Sequence, residues 1–244
     1  MGEQDLDAVR PKQNDASTTR TPLWSRVVIV GAATLAVLLV GATIGMLLTQ
    51  TMRAEPTTAA EPAADSVEVG FAQDMSVHHL QAVTMANWAR DHSTDPRIRQ
   101  LAFDIGSTQL EQVGRMKGWL MLWDQPEQTT GEYMTWMTGP GGHGDHGSVD
   151  TTATAGDAPM PGMATNDELA QMRALSGTEL DVHFLQLMLR HHQGGTEMAE
   201  YTQERTPMPA VDALITSMLR SQGAEMDLMR DLLAERDAKP LPFP

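Results

Sequence analysis

The sequence predicts an all-α fold: a four-helix bundle made of two duplicated helical hairpins and preceded by one transmembrane helix. Three observations predict it. Composition favours helix, because only 5% of the 244 residues are aromatic and Leu, Ala, Met, Gln, Glu and Arg dominate the chain beyond its apolar start. An uncharged apolar run near the amino terminus is long enough to cross a bilayer. The remainder of the chain matches itself at a fixed offset, the mark of a duplicated supersecondary unit.

The elements follow in order. Residues 1–26 read as a cytoplasmic tail and residues 27–49 as the anchor. Val27 to Thr49 contains no charged residue, and at about 1.5 Å per residue it spans a hydrocarbon core of roughly 30 Å. Arg20 and Arg26 precede it closely, with Arg10 and Lys12 further back, while only Arg53 follows nearby. That asymmetry puts the amino terminus in the cytoplasm and the rest outside the cell membrane. A cleaved signal peptide is the competing reading; the long apolar run, the long leader and the lack of a clear A-x-A site weigh against it. Residues 50–65 include AEPTTAAEPAAD and read as a flexible tether.

The duplicated domain occupies residues 66–237. With Phe71 set on Phe184, an offset of 113, FAQDMSVHHLQAVTMA lies over FLQLMLRHHQGGTEMA without a gap. Met75 pairs with Met188, His78 with His191, His79 with His192 and Met85 with Met198; further on, Gln109 pairs with Gln222 and Met116 with Met229. The first hairpin spans 66–123. Its leading helix opens at Asp65-x-x-Glu68, a capping-box pattern, and runs to about Asp91; the second opens at Asp95-Pro96 and ends near Trp123. A glycine-rich linker covers 124–165. The second hairpin spans 166–237, with a short helix at Asn166–Leu175, a long one opening at Ser176-x-x-Glu179, and a last one from Pro209 to before Pro240. One hairpin cannot bury its apolar stripe on all sides, so the copies pack on each other.

Composition also excludes chemistry. The chain has no cysteine, which removes disulfides, zinc thiolates, iron–sulfur clusters and thiol nucleophiles. Its net charge of −15 repels phosphate backbones, so nucleic acid is not a partner. The 18 methionines and eight histidines are the unusual feature. Residues three and four apart share a helix face, so Met75 lies beneath His78 and His79, with Ala82 and Met85 on the same side; Met188, His191, His192, Gly195 and Met198 repeat the layout. Thioether with imidazole suits copper, Cu(I) above all. The linker adds Met134-x-x-Met137, His143-x-x-His146 and Met160-x-x-Met163 in a polar stretch with no evident core to fill.

The bland reading of Met75, Met85, Met116, Met188, Met198 and Met229 is core packing at helical spacing. Adjacent histidines differ. They point about 100° apart, so an apolar core does not readily take both, and they act either as metal ligands or as satisfied polar groups between hairpins. Gly194 and Gly195 each cost roughly 1 kcal/mol in helix propensity, and close approach of a neighbouring helix is the expected compensation.

The pattern F-x-x-x-M-x-x-H-H-x-x-(A/G)-x-x-M-A, followed by Q-x-x-(E/Q)-(hydrophobic)-x-x-M, resembles the bacterial family known as domain of unknown function 305. The resemblance covers roughly residues 66 to 236 in both copies. It implies a ferritin-like bundle, and some members of that family are exported copper-binding proteins linked to copper tolerance. The positions it carries over are Met75, His78, His79, Met85, Gln109 and Met116, then Met188, His191, His192, Met198, Gln222, Glu225 and Met229. Gln112 departs from the pattern, standing where the second copy has Glu225. His183 and Asp181 stand beside the motif as a further imidazole and carboxylate.

The expected function is therefore a membrane-anchored, extracytoplasmic copper-binding protein that sequesters or passes on the ion through its Met/His faces, with His143 and His146 as additional ligands. It is expected to be no enzyme. Copper affinity is expected to fall below about pH 6.5, where free imidazole protonates. A non-catalytic interaction subunit of an envelope complex is the alternative. A ferritin-like metal oxidase is disfavoured, since the sequence has no Glu-x-x-His for a di-iron site.

Overall fold

The computed structural model describes residues 22–52, 61–138 and 158–243. These form six helices and no strand: α1 (Leu23–Met52), α2 (Val67–His92), α3 (Pro96–Leu122), α4 (Asn166–Ala174), α5 (Gly177–Gln203) and α6 (Pro209–Ala234). They fall into two compact units, residues 1–60 and 61–244. His143 and His146 lie outside the described residues.

In the first unit, α1 is one helix long and apolar enough to cross a membrane, with none of that stretch buried. Its hydroxyls are satisfied within the helix: Thr34 donates to the Val30 carbonyl at 2.9 Å, and Thr49 to the Gly45 carbonyl at 2.7 Å. These threonine hydroxyls therefore need no partner from hydrocarbon.

In the second unit the predicted boundaries hold, with local corrections. Ser66, not Asp65, caps α2 by accepting the Val69 N–H. Asp95 caps α3 ahead of Pro96 as its sequence suggests. The reciprocal capping box belongs to α4, where Thr165 and Glu168 satisfy each other's backbone N–H groups. Ser176 makes no side-chain cap bond at α5; Gly177 turns the chain there with φ of 57°.

Helices α2 and α5 form the centre, with α3 packed on α2 and α6 on α5. They run antiparallel: Ser93 at the end of α2 donates to Asp181 near the start of α5 at 2.6 Å. This crossing divides the interior into two cores that exchange halves between the repeats. One joins Phe71, Met75 and Met116 of the first copy to Met198 and Ala199 of the second. The other joins Met85 and Ala86 of the first to Phe184, Met188 and Met229 of the second. Each fully buried Phe or Met side chain contributes roughly 1.5–3 kcal/mol, so neither copy holds its own core.

The linker's two ends also belong to the core, contrary to the expectation of a loop with nothing to fill. Met137, Met160 and Met163 are buried among Met75, Met116 and Met198. Trp136 lies where a β-carbon on Gly70 would come within 2.3 Å of its ring, and it packs edge-on against Phe71 at 6.2 Å. Asp74 fixes this arm, accepting the Met134 N–H at 2.7 Å and the Trp136 indole N–H at 2.8 Å. Burial raises its carboxyl above the usual aspartate range, against the lowering effect of both hydrogen bonds. Asp74→Ala strands two donors and is expected to destabilise the unit by roughly 2–4 kcal/mol. Asp74→Asn keeps an acceptor without the buried charge and is expected to stay within about 1 kcal/mol of the parent. Thermal unfolding followed by tryptophan fluorescence checks the contrast.

Candidate metal centre

The four paired histidines meet at the α2–α5 crossing, between the two cores. All are at most 1% exposed. Adjacent residues on one helix can both be buried here because each central helix is covered on two sides. His79 faces α3, where its Nε2 lies 2.8 Å from Gln112 Oε1. His78 faces the linker, with Nε2 3.1 Å from the Pro161 carbonyl. His192 faces α6, with Nε2 2.7 Å from Glu225 Oε2, and His191 faces α2, with Nε2 2.9 Å from the His78 carbonyl. The expectation that a core would not take both members of a pair fails for this reason.

These partners assign the tautomers. A carbonyl or carboxylate oxygen only accepts, so the proton sits on Nε2 and each ring donates outward. The opposite nitrogen is left over. The buried Nδ1 atoms of His78, His79 and His192 have no hydrogen-bond partner. A stranded imidazole nitrogen in a dry site is a desolvation cost that a ligand would offset. Outward donation from the other nitrogen is also the arrangement that orients a metal-binding imidazole.

Burial keeps His78, His79 and His191 neutral, each with its single ring proton. Burial pushes His78 down to about 4, against the raising effect of the Pro161 carbonyl. Burial, followed by the neighbouring His78, pushes His79 down to about 3. Burial also holds His191 well below the usual imidazole value, reinforced by His78, His192 and His79. In the folded, metal-free protein proton competition therefore begins near pH 4 at His78 and near pH 3 at His79, below the 6.5 of a free imidazole.

The two repeats converge on one locus. The His78 and His191 ring centroids are 3.8 Å apart, tilted by 38°, while the rings within each pair are 6.4 Å apart. Gly195 makes room for this: a β-carbon there would stand 3.3 Å from both His78 Cε1 and Gln222 Oε1. Gly194 has another reason. A β-carbon on it would meet the Pro161 carbonyl oxygen at 2.1 Å, so it is the returning linker, not a helix, that needs this glycine. Gln81 clamps the same arm, donating to the Ala164 carbonyl at 2.9 Å and accepting the Ala164 N–H at 2.7 Å.

The predicted site residues are thus partly assembled. Met75 and Met188, one turn before the histidines, are fully buried, as are Met116 and Met229; Met85 is 1% and Met198 0% exposed. They line the two cores on either side of the histidine layer. Gln109 lies buried on α3 with neither amide atom partnered, and its counterpart Gln222 is buried on α6. His183 is placed away from this layer, its ring 3.3 Å from the Glu168 carbonyl, and Asp181 is engaged by Ser93. Among the described residues, no three His, Asp or Glu side chains are grouped to hold an ion by themselves.

Sequence reading took Gln112 only as a departure from the pattern and missed Pro161 and Gln81. Gln112 occupies the position of Glu225 and does its work as a neutral acceptor; the equal spacing of 33 residues from His79 to Gln112 and from His192 to Glu225 was the available signal. Pro161 and Gln81 had none, because their roles arise from where the linker lands.

The profile of the family described as "Domain of unknown function (DUF305)" matches residues 68–233. The crystal structure of a putative secreted DUF305 protein from Streptomyces coelicolor is similar, with 43% identity and a TM-score of 0.64, covering 74% of this chain and 99% of that one. CopM in its Cu(I)-bound form shares the fold at 22% identity and a TM-score of 0.51, covering 70% of this chain and 96% of that one. Among curated proteins, the uncharacterized protein L153 of Acanthamoeba polyphaga mimivirus is 39% identical over 46 residues, 19% of this chain; the chain spans 30% of that relative's length.

Proposed function

The chain belongs to the DUF305 family, and from that premise we propose that it is a membrane-anchored, extracytoplasmic copper-binding protein, which takes up the ion at the histidine layer and sequesters or transfers it. One observation carries the reading: buried imidazoles donate outward through Nε2 while the Nδ1 atoms of His78, His79 and His192 have no partner inside a methionine-lined interior. Neutral nitrogen flanked by thioether is a donor set for a soft ion. Among the described residues three nitrogen or oxygen ligands are not grouped together, so sulfur from Met75, Met85, Met188 or Met198 is the donor this reading adds to the imidazoles. The name of CopM, solved in a Cu(I)-bound form, supports copper as the cargo. The anchor rests on α1, and the extracytoplasmic placement on the charge asymmetry around it and on the secreted relative.

In this reading copper is cargo and the protein is no enzyme. Glu225 and Gln112 set ring orientation, and removal of such a partner weakens metal binding about 10- to 100-fold. The test is a competition titration of the purified protein with Cu(I) against a chromogenic chelator. The expected result is sub-micromolar affinity, weakened by about that factor in Glu225→Ala. Binding no tighter than micromolar would overturn the proposal.

A further inference from the structure

The four paired imidazoles are buried on every side, yet a ligand must reach them. Three of their covers are long helices: α3 over His79, α6 over His192 and α2 over His191. Each of these helices is rooted in a hydrophobic core. The fourth cover is different. It is the irregular stretch 158–164, whose Pro161 carbonyl accepts the proton of His78 Nε2. Pro159 reaches solvent while Met160, Met163 and Ala164 are buried, so a single layer of chain separates His78 from water. Within this stretch one backbone–backbone hydrogen bond forms, from the Met163 N–H to the Met160 carbonyl at 3.2 Å. Side chains of the central helices hold the rest. Gln81 donates to the Ala164 carbonyl and accepts its N–H, and Arg190 donates to the Met163 carbonyl at 3.3 Å. Beyond it, the Thr165–Glu168 capping box and the Arg190–Glu168 ion pair fix the start of α4 on α5.

We propose that residues 158–164 are a strap that opens to admit the ion to His78 and His191, with Gln81 as its latch. The ion is the one named by the copper-binding reading, on which this inference rests. The repeat supplies the second argument. Gln81 and Gly194 are equivalent positions, each three residues beyond the first histidine of its pair and so on the same helix face. The two copies share the histidines and differ here, and both differences serve the strap. Gln81 grips it, whereas Gly194 leaves it room, since a β-carbon there would run into the backbone of Pro161 and Gly162. A closure held by one half-buried side chain opens locally, without lifting a helix from either core. Opening frees His78 Nε2 and carries Met160 and Met163 outward, so one movement offers imidazole and thioether together.

The test uses the full chain in detergent micelles with diethyl pyrocarbonate, which carbethoxylates neutral imidazole and needs no metal. It therefore reads the strap independently of whether copper binds. Rates at each histidine are followed by fragmentation mass spectrometry, with the exposed His92 as internal reference. In the unsubstituted protein His78 is expected to react well ahead of His79 and His192, which lie under helices. Gln81→Leu keeps side-chain bulk, removes both bonds to Ala164, and is expected to speed His78 by roughly tenfold. His79 and His192 are expected to stay within about twofold of the parent, because only the strap has loosened. Cu(I) uptake from a chromogenic chelator is expected to accelerate by the same factor as His78. Equal rates at His78, His79 and His192 in the unsubstituted protein would overturn the proposal, as would a parallel rise at all three in Gln81→Leu. Unchanged Cu(I) uptake beside faster carbethoxylation would overturn the strap as the route of the ion.

Discussion

Acidification from pH 7 to pH 5 is expected to cost the metal-free second unit at least about 4 kcal/mol of folding stability, a large share of what many domains of this size have. The sign follows from the rings. In the unfolded chain an imidazole takes a proton near 6.5, whereas burial drives His78 to about 4, His79 to about 3 and His191 well below its usual value. Below pH 6.5 the unfolded state therefore binds protons that the folded state refuses. The stability these groups allow is full above 6.5, falls as pH drops, and levels off only below the folded values. His78 and His79 each contribute about 2 kcal/mol at pH 5, and His191 acts in the same direction. Asp74 works in the opposite sense, because its raised carboxyl lets the folded state take up a proton first, but it is one group against three. Chemical denaturation at a series of pH values measures the slope. His79→Leu combined with Gln112→Leu removes one ring and its partner together and is expected to reduce the loss between pH 7 and pH 5 by about 2 kcal/mol. A slope that is flat between pH 6.5 and 5 would contradict the neutral, buried assignment of the rings.

Gly194→Ala is expected to cost roughly 2–4 kcal/mol and to detach the linker from the histidine layer. The new β-carbon would stand 2.1 Å from the Pro161 carbonyl oxygen, 2.5 Å from its carbon and 2.9 Å from the Gly162 nitrogen. All three are backbone atoms, so no side-chain rotation relieves the clash. Gly162 cannot yield either. It holds φ of 75°, and its own β-carbon position lies 2.4 Å from the Arg190 carbonyl oxygen. The Pro161 segment must lift, which breaks the His78–Pro161 hydrogen bond and uncovers Met160 and Met163. Gly195→Ala is the informative contrast. It meets only the ends of the Gln222 and His78 side chains at 3.3 Å, and a shift of a few tenths of an ångström accommodates it. Hydrogen exchange across residues 158–165 and thermal unfolding of the two variants test the difference. Equal effects would mean that the linker does not rest on Gly194.

The position of that linker explains which parts of the site could be read in advance. The repeat, the helix boundaries and the Met–His–His faces are local: they follow from helical periodicity, caps and proline, each of which acts within a few residues. The polar partners are not local. His79 reaches Gln112 on the neighbouring helix, and His78 reaches a carbonyl in a segment whose composition looked like solvent-exposed loop. Asp65 was the expected cap of α2, and the folded backbone places Ser66 there instead.

From sequence alone came the all-helical class, the duplicated hairpin, the apolar amino-terminal helix and the paired histidines that meet at the α2–α5 crossing, because each is written in spacing along one helix. Tertiary structure decided that the cores swap halves between copies, that both members of each histidine pair are buried, and that the linker methionines fill the interior. Those outcomes depend on which surfaces cover which. A helix covered on two sides buries neighbours 100° apart, and nothing in its own spacing says that a second cover will arrive.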